Sequence, residues 1–176
     1  MEKKLTILLI EDNPGDARLA QEKLKEAKDI LCEVEWVEQL SGALERLPRG
    51  GIDVILSDLA LPDCKGLEIL MRLRAQAPQV PIVVLTGTFD EKAGLEAVRV
   101  GAQDYLLKDQ LDGYALSRAI RYSIERKRTE EALREKMDEL DRMNKIMMDR
   151  EDRILELKEE IKRLQTHTPV KKPEDA

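Results

Sequence analysis

Hydrophobic residues follow two different periods along this chain, and the change between them falls near residue 124. Before it, continuous apolar runs alternate with segments whose apolar residues recur every three or four positions. LTILLI at 5–10 is followed by a stretch that would bring Ala17, Ala20, Leu24 and Ala27 onto one helical face, and then by CEVEWV at 32–37. This alternation predicts a βα repeat with strands at 5–10, 32–37, 52–57, 80–86 and 103–107 and a last helix starting near Leu111. Strands that alternate with helices in this way assemble into a parallel sheet covered on both faces.

The strands also differ among themselves. LTILLI, VILS and PIVVLT are continuously apolar, as befits strands buried on both faces, whereas CEVEWV interposes Glu33 and Glu35 and QDYLL carries Gln103 and Asp104. The second and fifth strands are therefore expected at the edges. That suits the order 2-1-3-4-5, a flavodoxin-like doubly wound α/β sheet, in which the first and third strands are neighbours. Ligands of such sheets bind beyond the carboxyl ends of the strands, at the point between those two where the order reverses.

After residue 124 the pattern changes to sevens. Leu133, Leu140, Met147, Ile154 and Ile161 fall at one position of a heptad, and Lys136, Met143, Arg150, Leu157 and Leu164 at the other. Eight of these ten are apolar, which predicts a coiled coil of four to five heptads rather than a disordered charged tail, with Lys136 and Arg150 weakening its seam. Unbroken from Leu111 to Gln165, such a helix would run roughly 80 Å. Three regions result: a globular domain over 1–122, a helical coiled-coil extension over 123–165, and a tail over 166–176 whose two prolines and mixed charge predict disorder.

Composition narrows the class. The formal charge of −6 argues against nucleic acid as the main partner. No apolar run approaches a membrane span, and MEKKLTILLI enters a strand without a cleavage site, so a cytoplasmic protein without membrane insertion is expected. Cys32 and Cys64 have neither metal nor disulfide spacing and are expected to stay free.

The chemistry gathers at the strand ends. The first strand ends in Glu11 and Asp12, the third in Asp58, the fourth in Thr86 and the fifth in Lys108. An acid after an apolar strand is ordinarily a cap or a turn, but caps require neither a lysine nor a threonine in the same set. Three clustered carboxylates invite a hard cation such as Mg²⁺, which takes one or two carboxylates together with water and phosphate oxygens. Asp58 could then accept a phosphoryl group as nucleophile, Lys108 and Mg²⁺ offsetting charge, Thr86 binding a phosphate oxygen, and Glu11 and Asp12 holding the metal.

At these positions the chain resembles the receiver domains of two-component response regulators. The likeness covers residues 4 to about 122 and rests on LLIEDN, ILSDLALPDCKGLE, IVVLTGT and GAQDYLLKD. It implies that Asp58 is phosphorylated by a sensor histidine kinase or phosphotransfer protein and that the backbone carbonyl of Ala60 joins the Mg²⁺ shell. It further implies that Thr86 and Tyr105 act as switch residues, coupling phosphorylation to the surface around the fourth and fifth helices. Ala60 and Thr88 occupy the positions that tune phosphoryl lifetime in that family. One departure is Asp109, where many members carry a proline with a cis bond; no cis bond is assumed here.

The expected protein is thus a phosphorylation-dependent signalling receiver that dimerises through its C-terminal helix. Its only catalysis would be its own phosphorylation from small donors and its own dephosphorylation. ERKRTEEALREK and NKIMMDREDRILELKEEI also look like the linkers that join such domains to histidine kinases, so a receiver at the front of a longer kinase is the alternative. His167 lacks the surroundings of a phosphorylated kinase histidine. A Mg²⁺-dependent phosphohydrolase of the haloacid-dehalogenase type would need a second Asp where this chain has Ala60, and a scaffold that takes no phosphate would have no use for the intact set of acids, Thr86 and Lys108.

Overall fold

The computed structural model describes residues 4–87 and 91–166; Thr88, His167 and the remainder of the tail lie outside them. Five strands, β1 (Leu5–Ile10), β2 (Cys32–Val37), β3 (Val54–Asp58), β4 (Ile82–Thr86) and β5 (Asp104–Leu107), alternate with α1 (Pro14–Glu26), α2 (Leu40–Arg46), α3 (Leu67–Gln76), α4 (Glu91–Val100) and α5 (Gly113–Thr166). All strand pairs are parallel and the order is β2-β1-β3-β4-β5, as the edge signatures predicted.

The continuous apolar strands are explained by two cores. Leu8, Ile10, Ile55, Ile82 and Val84 pack on one side of the sheet with residues of α2 and α3. Ile7, Leu9, Val54, Leu56, Val83 and Leu85 pack on the other with α1 and α5. Burying such a side chain is worth about 1.5–3 kcal/mol, so both faces of the central strands had to be apolar. β3 and β4 each start two residues later than expected. Asp53 meets β1 through its side chain as well as its backbone, Thr6 N–H donating to its carboxylate at 2.9 Å, and Pro81 has no N–H to offer, so its carbonyl alone is used, by Ile55.

Edge strand β2 keeps Glu35 half-buried because Arg46 of α2 grips it through two hydrogen bonds of 2.5 and 2.8 Å. At the other edge α5 stays attached well past the compositional change. Ile124 is buried, Arg126 donates to the Gln103 carbonyl at 3.2 Å and the Gln103 amide donates to Glu130 at 3.3 Å. The first compact unit accordingly runs to Glu131. Where α5 begins, a Cβ on Gly113 would come within 2.8 Å of the Lys23 carbonyl on α1, so only glycine permits this approach.

Two helix starts are tied to the carboxyl edge of the sheet. Asn13 caps α1 by accepting from Gly15 N–H at 2.8 Å and Asp16 N–H at 3.4 Å, with Pro14 in the first turn. α2 has no cap of its own; Asp63, in the loop after β3, accepts from Leu40 and Ser41 N–H at 3.0 and 2.8 Å. Burial works against the charge of Asp63, but these bonds outweigh it and hold the carboxyl below its ordinary value. Asp63→Ala should therefore cost about 1 kcal/mol. Because the folded pKa is lowered, that contribution is present above the ordinary aspartate range and fades as pH falls through the folded value. Urea unfolding of wild type and variant, at neutrality and near pH 3, checks both parts; equal stability at neutrality would remove Asp63 from this role.

The second unit, from Ala132 onward, is helix throughout its described part. Its heptad residues are exposed, Leu133 at 62%, Ile154 at 43% and Leu164 at 65%. Lys136 pairs with Glu139 at 2.8 Å and Arg153 with Glu156 at 2.9 Å along the helix surface.

Candidate functional site

β1 and β3 are adjacent, and their ends bring the first three acids together. Asp58 is the last residue of β3, and Glu11 follows β1 directly. Oxygens of Glu11, Asp12 and Asp58 all lie within 4.8 Å of one another. An octahedral Mg²⁺ at about 2.1 Å from its ligands sets opposite oxygens about 4.2 Å apart and adjacent ones about 3.0 Å apart, so the three side chains would draw closer together around a bound ion. Glu11 and Asp58 are buried and Asp12 is exposed.

Lys108, just beyond β5, points its ammonium into this group. Nζ donates to Asp58 Oδ2 at 2.6 Å and stands 2.7 Å from Glu11 Oε2. Burial opposes the charge of Lys108, yet the bonds to Asp58 and Glu11 win and raise its pKa above the ordinary lysine value. Burial likewise pushes the Glu11 carboxyl up, with Lys108 pulling it back down. Asp58 Oδ1 accepts from the N–H groups of Leu59 at 2.5 Å and Ala60 at 3.1 Å. The loop behind it is closed by an antiparallel bridge between Ala60 and Lys65 and by Gly66 N–H donating to the Leu59 carbonyl. Lys108 and Asp109 open a short 3-10 turn, and no peptide bond among the described residues is cis.

Thr86 ends β4, 2% exposed, its hydroxyl donating to the Gly87 carbonyl at 3.5 Å. Tyr105 lies one strand further out and packs against the core on the α4 side. Its ring rests over Gly94 of α4, where an added Cβ would stand 2.5 Å from Cδ2. The structure thus gathers Glu11, Asp12, Asp58 and Lys108 into one cluster, places Thr86 at the next strand end, and sets Tyr105 apart from it against α4.

Two participants were absent from the sequence reasoning. Asp16, in the first turn of α1, accepts from Lys108 Nζ at 3.1 Å, 92 positions away. Its signal was available: a helix that follows β1 directly starts at the carboxyl edge of the sheet, so its first turn faces the same opening. Trp36 of β2 donates its indole N–H to the Glu11 carbonyl at 2.8 Å, while Glu11 N–H donates to the Val37 carbonyl at 3.1 Å. The backbone of Glu11 is thus held by β2 at both its N–H and its carbonyl, a contact no periodicity encodes.

The model of the response regulator receiver domain matches residues 7–121. The chain is 35% identical over 104 residues to the swarming motility regulation protein RssB of Serratia marcescens, covering 59% of this chain and 46% of that protein. It is 34% identical over 103 residues to the transcriptional regulatory protein YkoG of Bacillus subtilis, covering 58% and 43%. It spans less than half the length of these relatives. Among solved structures, a response regulator receiver domain protein from Clostridium thermocellum superposes with a TM-score of 0.62 at 27% identity, covering 71% of this chain and 98% of that one. Full-length FixJ from B. japonicum gives 0.64 at 27% identity, covering 72% and 60%.

Proposed function

Because this chain belongs to the response regulator receiver domain family of two-component signalling, we propose that it is a phosphoacceptor that takes a phosphoryl group on Asp58 and signals through its last helix and coiled coil. One observation carries this above the others: the Asp58 carboxylate sits 2.6 Å from a half-buried ammonium and beside two further acids. That arrangement suits a carboxylate destined to carry more negative charge.

In the proposed reaction an Asp58 oxygen forms a bond to phosphorus while the bond from phosphorus to the imidazole nitrogen of a sensor histidine kinase or phosphotransfer protein breaks. The electron pair of the broken bond stays on that nitrogen. Glu11, Asp12, Asp58 and the Ala60 carbonyl would hold Mg²⁺, which when bound offsets the charge on the transferring oxygens. Lys108 would move from the carboxylate oxygen to a phosphoryl oxygen. The Leu59 and Ala60 N–H groups, which now bind Oδ1, are fixed donors at the same place. Thr86 would turn its hydroxyl to the phosphoryl group, and Tyr105 would follow by repacking on α4. No helix among the described residues is long and apolar enough to cross a membrane.

Incubation with Mg²⁺ and a small phosphodonor should add one phosphoryl group to the wild type and none to Asp58→Asn, read by intact mass. Equal incorporation by the Asn variant would move the phosphoacceptor elsewhere.

A further inference from the structure

Lys108 has three N–H bonds and meets three carboxylates. Asp58 lies at 2.6 Å, Glu11 at 2.7 Å and Asp16 at 3.1 Å. The first two belong to the cluster at the ends of β1 and β3. Asp16 comes from α1, has the longest contact, and its side chain is 39% exposed, against 1% for Glu11 and 12% for Asp58. It therefore reaches the ammonium from the solvent side of the opening, which it lines together with Asp109.

We propose that Asp16 is a positioning residue that holds Lys108 in the unphosphorylated protein and opposes the phosphorylated state. The inference rests on Asp58 being the phosphoacceptor. An unmodified carboxylate carries one negative charge, and a phosphoryl group carries about 1.5–2. Phosphorylation thus adds negative charge beside Asp16 while drawing Lys108 away from it. The Asp16 carboxylate favours the ammonium where it now stands and repels what replaces the free Asp58 carboxylate. A group that interacts better with one of two states shifts the balance toward that state by the difference. Removing the charge of Asp16 while keeping its shape should therefore favour the phosphorylated state.

The exposure of Asp16 limits the effect. A unit charge several ångströms away at an effective dielectric constant near 20 would exceed what an exposed side chain delivers, so a change of about fivefold is expected rather than a hundredfold. A merely structural role for Asp16 would predict something else: its loss would loosen α1, weaken the site and show no dependence on salt.

The test uses the full chain with beryllofluoride as the phosphoryl mimic at saturating Mg²⁺, bound mimic being read by fluorine NMR, together with phosphoryl half-life by intact mass after removal of a small donor. Asp16→Asn should bind the mimic about fivefold more tightly and keep its phosphoryl group correspondingly longer, while Asp16→Glu, which restores the charge, should return toward wild type. The difference between Asn variant and wild type should shrink near 1 M salt, where the Debye length is about 3 Å. An Asn variant that binds the mimic no better than wild type, or binds it better to the same degree at all salt concentrations, overturns the role of Asp16 and leaves Asp58 in place. A wild type that takes up no more mimic than Asp58→Asn overturns the phosphoacceptor reading itself, and this inference with it.

Discussion

Lys108→Met should lower the stability of the metal-free protein at neutral pH by about 2–3 kcal/mol, below the 3–5 typical of a fully buried pair because the lysine side chain keeps some contact with water. Three acids, Glu11, Asp16 and Asp58, meet this one ammonium, and Asp12 lies beside Glu11 and Asp58. Glu11 is the most exposed to the loss in energetic terms, being 1% accessible to solvent, and its carboxyl is already raised by burial even with Lys108 pulling it down. Without the lysine it rises further. A carboxyl raised on folding contributes stability that is complete below its ordinary value of 4.5 and is lost as pH climbs through the folded value. The stability difference between variant and wild type should therefore open from about pH 4.5 toward neutrality and close again in acid. In the wild type the raised Lys108 contributes below the ordinary lysine value of 10.5 and loses this only in strong alkali, so the lysine itself adds no slope in that window. Mg²⁺ should narrow the difference, since acids deprived of their ammonium should bind a cation more tightly than the wild-type cluster, and a cation bound by the folded state alone stabilises by about 2.7 kcal/mol at a hundred times its Kd. Denaturant titrations near pH 5 and near neutrality, with and without Mg²⁺, measure each part. Identical midpoints in metal-free buffer at neutrality would show that Lys108 is not the counter-charge of this cluster.

The parts of this site that the sequence announced share one property: each sits at the end of an apolar strand. Glu11, Asp58, Thr86 and Lys108 could be aligned because parallel strands all end at one edge of the sheet, so their order along the chain became an order in space. Asp16 and Trp36 obey no such rule. Asp16 reaches Lys108 only because Asn13 and Pro14 start α1 at once after β1, and Trp36 reaches the Glu11 carbonyl from the neighbouring edge strand β2. Asp63 was legible as an acid in the motif around Asp58, but not as the cap of a helix more than twenty residues before it. The two delayed strand starts come from Asp53 and Pro81, where a side chain or a missing N–H stands in for regular pairing. The compositional boundary near residue 124 was conspicuous because charge is counted easily, yet the contacts of Ile124, Arg126 and Glu130 with the sheet side depend on which face of α5 each residue occupies.

That attachment decides where the extension should be cut. A chain ending after Glu131 should remain folded and monomeric, while the full chain should sediment as a dimer at tens of micromolar. The physical case is the exposed seam. Ile154 and Ile161 occupy one heptad position and Leu157 and Leu164 the other, and β-branched residues at the first with leucine at the second favour two parallel strands. All four are between 42% and 65% exposed in the single chain, a burden in water that a second copy would relieve by about 1.5–3 kcal/mol for each side chain fully buried. Arg150 interrupts this seam and Lys136 does so two heptads earlier in the chain, where it finds Glu139 on its own helix instead. Charges at such positions lower affinity while fixing register. Arg150→Leu adds one apolar side chain per helix, two per dimer, and should tighten association on the order of a hundredfold. With no Gly or Pro between Tyr114 and Gln165, α5 enters the seam without a break, so a shift of α5 on phosphorylation would be felt at the dimer contact; beryllofluoride should then alter the dimer constant of the full chain. Sedimentation across a concentration series measures all of this. A full chain that stays monomeric at tens of micromolar, with and without the mimic, would rule out self-association and leave the apolar stripe from Leu133 to Leu164 to a different protein.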